Sequence, residues 1–103
     1  MDKKEAVEKV RKYARIIKDY FPVKMVILFG SYCTGKARKD SDIDVAVVVD
    51  KVEDDLLESE AQLYKLRRGI DFRIEPVLIE RDERDPGGFF EEILNTGEII
   101  YQN

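Results

Sequence analysis

The sequence predicts an α/β chain of the α+β kind: a mixed β-sheet of about four strands with helices packed against it. Three observations predict it. A short apolar run from Met25 to Phe29 stops abruptly at Gly30-Ser31, as a buried strand does. A second apolar run, Val45 to Val49, is entered through Asp42-Ile43-Asp44, where alternation places the two aspartates on one face and Ile43 and Val45 on the other. Helical spacing precedes, separates and follows such runs, giving the order α-β-β-α-β-α-β.

The first helix is expected over residues 3–21. There Val7, Val10, Ala14 and Ile17, with Tyr13 and Tyr20 alongside, form an apolar stripe that Pro22 ends. A strand follows over Lys24–Phe29, then a turn and loop from Gly30 to Ser41, with room for one short helical turn near Lys36–Lys39. The second strand is expected from about Asp42 to Val49. Residues 51–68 begin acidic and end basic, as a helix dipole prefers. Leu56, Leu57, Leu63 and Leu66, with Ala61 and Tyr64, are its expected inward face, and Gly69 its stop. In a third strand Ile70, Phe72 and Ile74 alternate with Asp71, Arg73 and Glu75, and Pro76 points to an edge, a bulge or a register change. A charged loop over residues 80–88 leads to a final helix, opened by Pro86 and running Gly87–Asn95, with Phe89, Phe90, Ile93 and Leu94 as its buried side. Thr96-Gly97 closes it, and Glu98–Tyr101 reads as a last short strand. No repeat, low-complexity tract or linker interrupts this order, so one domain over residues 1–103 is expected.

An apolar share of 44% and a charged share of 39% fit a globular protein with a heavily solvated surface. No apolar run approaches the roughly 18 residues that span a bilayer, and the charged N-terminal pattern is not that of a signal peptide. A cytoplasmic protein without a membrane partner is the expectation. The net charge of −4 argues against broad, sequence-independent nucleic-acid binding, which depends on neutralising phosphates, but leaves room for a local anion site. The single cysteine, Cys33, forms no internal disulfide and is read as structural or incidental. The chain has no histidine, which excludes His-based triads, His general bases and most zinc sites. Catalysis here falls to carboxylates, hydroxyls, Lys, Arg or a hard metal.

The chemistry concentrates in residues 25–49. A glycine directly after a buried strand lets the backbone turn tightly and approach a ligand, and the Ser31 amide and hydroxyl can then face phosphate oxygens. Asp42 and Asp44, side by side, repel each other and lose hydration, penalties that a divalent cation removes. Mg²⁺ is held this way, by few carboxylates with substrate phosphates completing its shell. Taken singly, Gly-Ser is an ordinary turn and Ser41-Asp42 an ordinary strand entry. Together they form Gly-Ser-x10-Asp-x-Asp, a coincidence expected in about one random chain of this length in a thousand. Lys36, Arg38 and Lys39 form a basic cluster beside it, readable as triphosphate neutralisation or as a solvent-facing loop. Tyr32 reads as a base-stacking, core or lid residue.

This pattern resembles the signature of the DNA polymerase β-like nucleotidyltransferases. More closely, it resembles the minimal nucleotidyltransferases that partner HEPN-domain proteins in two-gene modules. The resemblance runs from the first helix through Gly97-Glu98-Ile99-Ile100. It implies a palm-like nucleotidyltransferase fold, with Gly30 and Ser31 at the nucleotide triphosphate and Asp42 and Asp44 on two Mg²⁺ ions; Lys36 of the basic cluster is the further residue expected at the triphosphate. It also implies a third carboxylate on an adjacent strand, for which Glu75 stands best and Asp71 is the alternative. Many members carry Asp there, and Glu reaches about one methylene further. The activity implied is transfer of AMP from ATP to a hydroxyl, as on a tyrosine of a HEPN-domain toxin. The alternative is a module that neutralises such a toxin by binding alone. A homodimer is compatible with either.

Overall fold

A computed structural model describes residues 1–53, 55–81 and 84–103. Helix α1, Lys3–Ile17, is capped by the Asp2 carboxylate, which accepts from the Glu5 amide at 2.9 Å. Strand β1 is Val23–Phe29, helix α2 Ser31–Thr34 and strand β2 Ile43–Val49. Helix α3, Leu56–Leu66, is capped by Asp55 and runs into a 3₁₀ turn, Arg67–Gly69. Strand β3, Ile74–Glu80, helix α4, Phe89–Thr96, and strand β4, Glu98–Gln102, complete the order. The strands form one mixed sheet, β3-β2-β1-β4, in which β1 runs antiparallel to β2 and β4, and β2 runs parallel to β3.

Strand alternation divides the core in two. Val26 and Leu28 of β1, Ile43, Val45 and Val47 of β2, and Ile74 of β3 face one side. There they pack with Ala6, Val10, Tyr13, Ala14 and Ile17 of α1 and with Leu63 of α3. Tyr13 also donates a buried hydrogen bond to the Leu63 carbonyl at 2.6 Å, tying α1 to α3. Met25, Ile27, Ala46 and Val48 face the other side, covered by Ile93 of the short α4.

The mixed sheet and element order agree with the sequence reading; several details do not. α1 ends at Ile17, not near residue 21, because the chain must turn before Pro22, and the Tyr20 and Phe21 amides both close on the Ile17 carbonyl. Tyr20 is consequently exposed. The short helix lies at Ser31–Thr34 rather than near Lys36–Lys39. In α3 the face toward the sheet runs through Ser59, Leu63 and Leu66. Leu57, 77% exposed, lies with Ala61 and Tyr64 on a separate outward stripe. β3 starts at Ile74, so residues 70–73 form a turn and Phe72 is 66% exposed instead of alternating inward. Pro76 sits on an edge strand, one of the outcomes its lost amide allows. α4 starts at Phe89, after a 3₁₀ turn at Pro86–Gly88, and buries Ile93 while Phe89 and Leu94 remain exposed. Asp54, in the expected second long helix, and Asp82 and Glu83, in the expected charged loop, lie outside the described residues.

Candidate active site

Gly30 ends β1 with φ 78° and ψ −147°, a combination that glycine alone adopts without strain. A Cβ built there would lie 2.2 Å from Oδ2 of Asp44 and 3.1 Å from its Cγ. The Asp44 carboxylate therefore rests directly against the Gly30 backbone. The chain then enters α2, whose Cys33 and Thr34 amides donate to the Gly30 carbonyl at 2.9 and 3.2 Å. The first-turn amides of Ser31 and Tyr32 have no intrahelical acceptor, which leaves them for water or an anion.

Strand pairing extends the site sideways. Phe29 of β1 is opposite Asp44 of β2, and Asp44 is opposite Glu75 of β3. Paired residues on neighbouring strands project to the same side, so Asp44 and Glu75 stand next to each other on the face that α4 partly covers. Asp42, one residue ahead of β2, is exposed. Burial raises the pKa of Asp44, and the charges of Asp42 and then Glu75 push it the same way. Neither Asp42 nor Asp44 forms an ion pair among the described residues.

Glu75 is partly compensated from elsewhere. Its carboxylate accepts from the Tyr64 hydroxyl at 3.1 Å and lies 3.5 Å from a terminal nitrogen of Arg67. Arg67 in turn donates to the Ile74 carbonyl at 2.8 Å and packs against the rings of Tyr64 and Phe72, 4.8 and 5.9 Å from their centroids. Among the described residues no three carboxylate, Cys or His groups are gathered closely enough to hold one ion. Asp42 and Asp44 nonetheless suit Mg²⁺: they are hard oxygen donors whose mutual repulsion no ion pair among the described residues relieves. Glu75 would join them by exchanging Arg67 for the ion.

Asp71, the sequence's alternative third carboxylate, is in the turn before β3 and is already committed. It accepts from Lys9 Nζ at 2.5 Å, from Arg73 Nε and Nη2 at 3.0 and 2.8 Å, and from the Arg73 amide at 2.8 Å. Arg73, followed by Lys9, holds its carboxyl well below the usual carboxylate range against the opposing effect of burial. Lys36, Arg38 and Lys39 are exposed in the loop joining α2 to β2. Tyr32 is a core residue, and burial pushes the Cys33 thiol up while its Sγ contacts the Leu28 carbonyl at 3.1 Å.

The family model described as "Polymerase beta, Nucleotidyltransferase" matches residues 11–103. The chain belongs to the polymerase β nucleotidyltransferase family. A candidate protein adenylyltransferase of Methanocaldococcus jannaschii, MJ1379, is 45% identical over 47 residues, 46% of this chain and 47% of the relative. The chain spans about half the length of the curated relatives it matches. A candidate nucleotidyltransferase from Sulfolobus solfataricus superposes with a TM-score of 0.71 at 15% identity, over 98% of this chain and 84% of that one. A toxin–antitoxin structure with AMP-PNP superposes with a TM-score of 0.61 at 21% identity, over 94% and 73%. At these identities the structures speak for the fold, which is the nucleotidyltransferase fold the motif resembles. Within this family's frame, Tyr64, Arg67 and Arg73 are the neighbours of the motif that the sequence reading missed. Each acts through a pairing that becomes visible only when β3 is docked.

Proposed function

We propose that this chain transfers AMP from ATP to a hydroxyl of a partner protein, a tyrosine of a HEPN-domain toxin, and so serves as its antitoxin in the cytoplasm. The observation that carries the reading is the seating of the Asp44 carboxylate on the Gly30 backbone. It couples a phosphate-binding turn to a carboxylate strand in a chain of this family. The name of the relative MJ1379 supports protein adenylylation, and the AMP-PNP-bound toxin–antitoxin structure supports both the nucleotide and the kind of partner.

In this reading the free amides behind Gly30, the Ser31 hydroxyl and the side chains of Lys36, Arg38 and Lys39 hold and neutralise the triphosphate. Asp42, Asp44 and Glu75 would hold Mg²⁺, which when bound screens the charge on the α-phosphate. The acceptor oxygen forms a bond to the α-phosphorus as the bond to pyrophosphate breaks, and the hydroxyl proton is released. Such a transfer depends on positioning and charge neutralisation, so a chain without histidine can perform it.

The test is mass spectrometry of the toxin partner incubated with Mg-ATP and either this chain or its Asp42→Asn/Asp44→Asn variant. Addition of AMP with the wild type alone supports the proposal; an unmodified partner refutes it. The side-on hold of Arg67 and Tyr64 on Glu75 favours one second reading, neutralisation by binding alone. That reading predicts that the double-Asn variant still neutralises the toxin.

A further inference from the structure

We propose that Arg73, clamped by Asp71, is a positioning residue that fixes the loop carrying Asp42 and the basic cluster, and thereby sets the affinity of the site for a metal-bound triphosphate. The inference rests on the nucleotidyltransferase reading of that site. Arg73 grips the loop at both ends of the segment that contains Asp42. One terminal nitrogen reaches the Lys39 carbonyl at 3.4 Å, and its own carbonyl accepts from the Ile43 amide at 2.8 Å. The loop between is already stiff, because the Arg38 amide donates to the Ser41 hydroxyl at 2.6 Å and the Ser41 amide to the Arg38 carbonyl at 3.1 Å. Fixing Lys39 therefore fixes the whole turn and the aspartate that follows it. Among the described residues, the only other hydrogen bond from residues 36–42 to the rest of the chain is Lys36 N–H to the Ser31 carbonyl.

The clamp fixes the geometry of the Arg73 side chain. Asp71 is only 10% exposed and takes two donors from the Arg73 side chain and one from the Arg73 backbone. Lys9 adds a fourth and ties the pair to α1. The guanidinium is thus held in one orientation by the carboxylate that it shares with Lys9. Lys36, Arg38 and Lys39 remain free of ion pairs among the described residues, on a backbone whose ordering cost has been met before a ligand arrives.

Mn²⁺ binding, followed by electron paramagnetic resonance with and without AMP-PNP, tests this alongside trypsin digestion of the folded proteins. In Arg73→Met, Mn²⁺–AMP-PNP should bind about tenfold more weakly, the low end of what removing a supporting contact costs a metal site. Trypsin should cut faster after Lys36, Arg38 and Lys39. Asp71→Asn should do the same, and the double variant should be no worse than either single one, because both remove one clamp. Arg73→Lys keeps the pairing with Asp71 but cannot also span to the Lys39 carbonyl, so it should fold like the wild type and still lose affinity. Wild-type affinity and wild-type cleavage in folded Arg73→Lys or Arg73→Met protein, whatever its melting temperature, would overturn the proposal. If the wild type itself bound no Mn²⁺–AMP-PNP, the nucleotidyltransferase reading would fall instead. The trypsin pattern would still decide whether Arg73 holds the loop.

Discussion

Replacing Gly30 by alanine should damage this protein twice, through the backbone and through the carboxylate. At φ 78° and ψ −147° a residue with a Cβ is held in a region that costs of order 1–3 kcal/mol. For a chain of this size about 2 kcal/mol corresponds to a fall of roughly 8–16 °C in melting temperature. The added Cβ would also lie 2.2 Å from Asp44 Oδ2, where ordinary contact begins at 3.4 Å, so the carboxylate must retreat by about 1 Å. A displaced Asp44 should weaken Mn²⁺ binding by about tenfold or more in the protein that remains folded. Thermal melts and Mn²⁺ titrations of Gly30→Ala, Asp44→Ala and the double variant separate the two effects. In the Asp44→Ala background most of the clash is gone and only the backbone strain remains, so Gly30→Ala should cost less there. Equal costs in both backgrounds, or a Gly30→Ala protein with unchanged melting and unchanged metal affinity, would refute the idea that Asp44 is seated on this glycine.

Three further outcomes are expected. Asp44→Asn should melt higher than the metal-free wild type at pH 7. The folded pKa of Asp44 is raised, so its contribution is fully present below the usual carboxylate value of about 4 and is lost as pH rises through the folded pKa. The Asn advantage should therefore vanish at about pH 4 and below, and a difference in melting temperature that is flat with pH would contradict the assignment. Mg²⁺ should stabilise the wild type by about 2.7 kcal/mol at a hundred times its dissociation constant and leave Asp42→Asn/Asp44→Asn unmoved in the same melts. Tyr13→Phe should lose about 1 kcal/mol in urea unfolding, because the buried Leu63 carbonyl loses the hydroxyl that donates to it at 2.6 Å; an unchanged midpoint would mean that water replaces it.

The sequence carried the half of the candidate site that is local. Gly30, Ser31, Asp42 and Asp44 are close along the chain, and each declares its conformation through its own chemistry. A glycine stops a strand, and of the two acids expected on one face of the next, Asp44 lies in β2 and Asp42 one residue ahead of it. The same logic placed the mixed sheet and left Pro76 an edge, a bulge or a register change, of which the fold took the edge. It failed where burial depends on what a surface is packed against. Leu57 and Tyr64 have the composition of an inward helix face, but α3 meets the sheet through Ser59 and Leu63. Phe72 alternates correctly for a strand that begins only two residues later. Only the tertiary structure decided between Glu75 and Asp71 as the neighbour of Asp44, because that depends on the register of a parallel pair joined through a whole helix. It also placed Arg67 beside Glu75 and Arg73 beside the loop, contacts between side chains on elements whose docking no local pattern encodes. The motif was legible because its geometry is dictated by residues next to one another; its supports were not, because theirs is dictated by residues that meet only after the sheet has formed.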